Sequence, residues 1–179
     1  MKARVFGLLA ALTVGVSGAA GQALPVSASP SAEAPSLGKV MTGPSSSVFA
    51  INASGVVTRT SGTAVRITNT GTSVPTVTVT CNIQTGNTCA NGTVRIVVTA
   101  ASTSRASITS FTASGIKCDT GTCQSLSGTT GPAPSLDFSV RAPGKGKAVT
   151  FTLPMEVTIG ATPTTGNAVY RYNVTASVN

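Results

Sequence analysis

Acid–base chemistry has little to draw on in this chain. Among 179 residues there is no histidine, and the carboxylates are Glu33, Asp119, Asp137 and Glu156. A paired-carboxylate hydrolase holds two acids across a cleft. Asp137 and Glu156 stand in separate regular segments, each out of phase with its apolar neighbours, which places both in solvent. The lack of histidine excludes a Ser-His-Asp triad. Ser36-Leu37-Gly38-Lys39 and Ser114-Gly115-Ile116-Lys117 match S-x-x-K. That motif needs a helix to bring serine and lysine together, plus companion motifs, and neither segment has helical periodicity. Gly144-Lys145-Gly146-Lys147 lacks the glycine spacing and following helix of a phosphate loop and reads as a basic hairpin tip. Calcium needs clustered acidic oxygens, which four scattered acids do not supply. No haem, flavin or nucleotide motif is present. No catalytic, cofactor-binding or metal-binding residue is therefore assigned, and the chain is not expected to be an enzyme.

The remaining reactive groups are Cys81, Cys89, Cys118 and Cys123. An even cysteine count in an exported protein reads as disulfides. Three connectivities are open. The expected one joins Cys81 to Cys89 and Cys118 to Cys123, each closing a short glycine-containing loop. The rival, zinc, fits neither the C-x7-C and C-x4-C spacings nor the absence of histidine.

Export is written at the start. Met1-Lys2-Ala3-Arg4 is a basic n-region, Val5 to Val16 is an uncharged apolar run, and small residues follow to Ala23. This is the pattern of a signal peptide over residues 1–23, too short in its apolar run for a membrane anchor. No transmembrane segment is expected in the mature chain. Losing Lys2 and Arg4 lowers the formal charge of +8 by two. Arg59, Arg66, Arg95, Arg105, Arg141 and Arg171 are dispersed, without the basic patch and stacking aromatics of a nucleic-acid binder. They read as solvated strand faces, so no nucleic acid is expected as a partner. Three Asn-x-Ser/Thr matches, at Asn52, Asn91 and Asn173, are chance-level in a Ser/Thr-rich chain.

The elements that position these residues are β throughout. Residues 24–36 are Ala/Ser/Pro-rich and read as a linker, although Val26, Ala28, Pro30, Ala32 and Ala34 alternate with polar residues as a donated strand would. From residue 37 to 179 a single domain follows. Val77, Val79, Cys81 and Ile83 alternate with Thr and Asn, and Val94, Ile96, Val98 and Ala100 repeat the pattern. Leu136, Phe138 and Val140 form another face. The longest stretch, Lys147 to Gly160, puts Val149, Phe151, Leu153, Met155, Val157 and Ile159 on one side. Pro154 interrupts it, which predicts an edge position or a bulge. Short strands with glycine turns every ten or so residues predict an all-β, antiparallel immunoglobulin-like or pilin-like β-sandwich of about eight or nine strands.

The last stretch, Ala168 to Asn179, reads as one strand. Tyr170, Tyr172, Val174, Ala176 and Val178 share its apolar face and form the candidate assembly strand. Thr165 to Asn179, with Leu37-Gly38-Lys39-Val40, Val48 to Gly55, Leu153-Pro154 and Val157 to Ala161, resemble a group of secreted bacterial β-domains of unknown function. Those domains are pilin-like, similar to chaperone–usher and spore-coat-U-type subunits. The resemblance implies no catalytic residues. The expected protein is an exported structural or adhesin-like surface subunit of a Gram-negative bacterium, reaching the periplasm, cell surface or medium. It would assemble through β-strand pairing, with itself or a periplasmic chaperone or assembly factor as partner. The alternative is a monomeric carbohydrate- or envelope-binding module, for which the absence of tryptophan is unfavourable.

Overall fold

The computed structural model describes residues 26–30, 36–67, 74–82, 89, 92–101, 106–161 and 165–179. The expected signal peptide, Glu33, Asn91, Arg105 and Ile83 lie outside them. The described elements are all strands, and every pairing between them is antiparallel. The fold is an all-β sandwich.

One layer is built on a chain segment that changes partners along its length. Strand β12 (Ala148–Thr152) pairs with β6 (Thr76–Cys81) and β9 (Ser114–Cys118), and β13 (Met155–Ile159) pairs with β3 (Ser47–Ile51) and β8 (Ala106–Phe111). Leu153-Pro154 separates the two halves. Proline has no N–H for the ladder, and the strand breaks where that donor is missing. The Pro154 carbonyl accepts from Thr112 N at 2.9 Å, and Leu153 N donates to Pro75 O at 2.9 Å. The expected irregularity is therefore present, but inside a central strand instead of at an edge. On one side this layer ends in β1 (Val26–Pro30) on β6 and β4 (Val57–Ser61) on β3, and on the other in β9 and β8.

The opposing layer runs β10 (Ser127–Thr129), β11 (Ser135–Arg141), β7 (Thr93–Ala101) and β15 (Arg171–Val178). Its alternation follows the sequence pattern at Val94, Ile96, Val98, Leu136, Phe138 and Val140, which are buried, but Ala100 near the end of β7 is exposed. Aromatic contacts join the layers. Phe138 meets Phe151 edge-on with ring centres 5.4 Å apart, and Phe111 meets Tyr172 in the same manner at 6.4 Å. A small three-stranded sheet is formed by β14 (Thr165–Val169), β2 (Ser36–Met41) and β5 (Val65–Arg66).

Three expectations need correction. The described residues form fifteen strands, not eight or nine, because long strands are split by breaks and short pieces such as β5 and β10 pair only through tertiary contacts. The stretch read as a linker contains β1, paired over Val26–Pro30 with Val77–Cys81, so β structure begins before residue 37. Backbone hydrogen bonding to an open edge can order such a segment without bulky side chains. The closing strand is also two strands: β14 pairs with β2, β15 pairs with β7, and the chain changes sheet at Tyr170.

Candidate functional site

The four cysteines pair as Cys81–Cys89 and Cys118–Cys123, with Cα atoms 6.0 and 5.1 Å apart. Both bonds lie at strand ends. Cys81 closes β6, and Cys118 closes β9, whose turn is held by reciprocal Cys118 and Gly121 backbone bonds.

The carboxylates do not converge. Asp137 lies on β11 between buried Leu136 and Phe138, and Glu156 lies on β13 between buried Met155 and Val157. The two strands belong to opposite layers, so these acids stand back to back with the core between them. Asp137 accepts two bonds from Arg95 on β7, Nε to Oδ1 at 2.8 Å and Nη2 to Oδ2 at 2.5 Å. The two residues are diagonal neighbours across the ladder, within reach of a long side chain. The Arg95 bond holds the Asp137 carboxyl below its ordinary value and raises Arg95 in turn. This exposed pair steadies a sheet face. Glu156 accepts from Ser110 Oγ at 3.4 Å, and Asp119 accepts from Ala148 N at 2.9 Å. Ser114 and Lys117 lie on β9 three residues apart, hence on opposite faces of a strand. Lys145 and Gly146 occupy the turn that carries the chain from β11 in one layer to β12 in the other, so the basic tip is a crossover and not a hairpin. Asn52 spends its side-chain oxygen on Ser54 N and Val56 N, an Asx-type turn. Among the described residues no group of three His, Cys, Asp or Glu side chains could hold a metal.

The candidate assembly face divides. Tyr170 is 2% exposed and sits in the break before β15. Tyr172, Val174, Ala176 and Val178 are half-buried along β15, packed against the core. Among the described residues β15 pairs with β7 alone, β1 pairs with β6 alone, and the two lie against each other where the layers meet. The face is thus partly spent inside the domain, and β15 and β1 are each outermost in their sheets among the described residues.

Burial raises the Tyr170 phenol well above its ordinary value; Tyr172 adds to the rise and Arg66 opposes it. Its hydroxyl has no hydrogen-bond partner among the described residues. Tyr170→Phe keeps the ring and removes an unsatisfied polar atom. Stability in urea at neutral pH is expected to stay level or rise by up to about 1 kcal/mol. A loss of that size would show that the hydroxyl is bonded. A raised folded-state value means that the contribution is complete below the unfolded-state value of 10.0 and is lost as pH rises past it. The melting midpoint should therefore fall above that pH, less steeply in Tyr170→Phe.

A feature missed by reading the arginines as scattered lies between the edges of β4 and β5. A cleft of about 300 Å³ is lined by Phe49, Val57, Arg59, Ala64, Val65 and Arg66. In the ladders Arg59 is opposite buried Phe49 and Arg66 is opposite buried Val40. Directly paired residues share a face, so both arginines stand on the core-side phase of an outermost strand. Arg59 Nη1 donates to Ala64 O at 2.7 Å and Arg66 Nε donates to Leu37 O at 2.7 Å. The turn joining them is tied by Ala64 N donating to the buried Ser47 hydroxyl at 2.9 Å. The signal was present in the sequence: Arg59 is in phase with Val57, and Arg66 with Ala64.

Comparison with protein-family models, with curated proteins and with solved structures finds no match. The class defined by fold and chemistry is an all-β sandwich with two disulfides, and no described helix is long and apolar enough to cross a membrane.

Proposed function

We propose that this chain is an exported, non-catalytic structural or adhesin-like surface subunit that assembles through β-strand pairing. The observation that carries the reading is β1, a five-residue strand that joins only β6 among the described residues and lies beside the outermost strand β15 at one seam of the sandwich. Unpaired N–H and C=O groups on an edge are a template for another strand. The β1 ladder is short and, among the described residues, joins only β6. The same five-residue pairing can be made by β1 of a second copy, or by a strand of a periplasmic assembly factor. Two disulfides suit an oxidising compartment outside the cytoplasm, and the basic-then-apolar start supplies the export signal.

Deleting residues 24–36 from the mature protein is expected to abolish polymers while leaving a cooperative thermal transition. Polymers that persist in the deletion would sink strand exchange by this segment. The second reading, a monomeric carbohydrate- or envelope-binding module, draws its support from the Arg59–Arg66 cleft. Size-exclusion chromatography with and without an added saccharide separates the two readings.

A further inference from the structure

We propose that the cleft between β4 and β5 is a binding site for a single anionic group, a carboxylate or a phosphate, carried on an extended ligand such as an acidic polysaccharide. The shape fits: about 300 Å³ with apolar walls from Phe49, Val57 and Val65 and two guanidiniums among its lining residues. Small-ligand sites combine an apolar lining with a few fixed polar groups, and this volume is at their lower limit. The arginines are oriented before any ligand arrives, because each has one donor tied to a backbone carbonyl. A guanidinium has five N–H donors in a planar fork that suits carboxylate and phosphate oxygens. Arg59 spends one of them on Ala64 O.

The charge around the cleft points the same way. Among the described residues no carboxylate lines it. The described acids are engaged elsewhere: Asp137 with Arg95, Asp119 with Ala148 N, and Glu156 with Ser110. A cleft edged by two guanidiniums attracts an anion from solution.

The competing explanation is edge protection. Inward-phase charges on outermost strands keep sheets from pairing edge to edge, and Arg59 and Arg66 are so placed. Edge protection requires charge but no binding, and the two separate by titration. The site is independent of polymerisation: a chain that stays monomeric and still binds keeps it.

Calorimetric titration of the mature protein at low salt is the test, with inorganic phosphate, oligogalacturonate and a neutral malto-oligosaccharide as probes. Saturable binding of phosphate, oligogalacturonate or both is expected, with none for the neutral sugar. Oligogalacturonate alone would assign a carboxylate ligand, and phosphate alone a phosphate ligand. Arg59→Gln with Arg66→Gln is expected to weaken binding at least tenfold, while Arg141→Gln, in a different cleft, leaves it unchanged. Should the double variant unfold, Arg59→Gln alone, at an exposed position, is expected to weaken binding at least threefold. Three results overturn the proposal: no binding of either anion, undiminished binding in the arginine variants, or an equal loss in Arg141→Gln. Variants that self-associate yet bind as well as the parent would identify the arginines as edge guards only.

Discussion

Phe138→Ala is expected to lower the unfolding free energy by about 4 kcal/mol, the transfer loss plus the cavity left by a buried ring. Phe138 is 1% exposed and stacks edge-on against Phe151 from the opposite layer, at an interplanar angle of 78°. The substitution removes both the apolar area and an aromatic pair worth on the order of 1 kcal/mol beyond that area. Against a total stability of about 5–15 kcal/mol, this is a large share. Phe138→Leu, which fills much of the same space, should lose much less. Urea denaturation with an unchanged slope is the measurement. A loss below about 1 kcal/mol, the ordinary effect of a point substitution, would mean that the layers are not joined through this pair.

Gly62→Ala has the second large effect, and it bears on the arginine cleft. Gly62 has φ +84°, a conformation that costs a side chain strain. A Cβ there would lie 2.2 Å from Ser46 O and 2.5 Å from Ser47 Cα. Both obstacles are backbone and cannot rotate aside, so the turn must move. Movement also endangers the bond from Ala64 N to the Ser47 hydroxyl, which is buried. The expected loss is about 3 kcal/mol, the upper range for strain at one residue. Weaker oligogalacturonate binding should accompany it, because Arg59 and Arg66 flank the displaced turn. Stability and binding both equal to the parent would contradict this account of the turn.

The central ladders were legible because burial on one side writes a period of two. Val77, Val79 and Cys81, the Val94 series, the Leu136 series and the long Val149-to-Ile159 run all take the faces that their alternation predicts. The less legible elements lack that signal. β10 is Ser127-Gly128-Thr129, exposed at every position and held by its ladder to β11. β2 loses its phase at Gly38, whose φ of 75° lets both Leu37 and Val40 face inward although they are three residues apart. The break at Tyr170 was hidden because the alternation runs through it unchanged; only the choice of partner, β2 or β7, divides the stretch. The neighbouring disulfide pairs followed from short loops. The arginine cleft depends on register between four strands, which no local pattern reveals, although the in-phase arginines were a clue.

Strand-paired assembly is tested most directly by negative-stain microscopy of purified protein spanning residues 24–179, beside the same protein lacking residues 24–36. Filaments or linear oligomers from the first and single particles from the second are the expected result. Uniform single particles from both, at concentrations where surface subunits polymerise, would contradict assembly through the β1 and β15 edges.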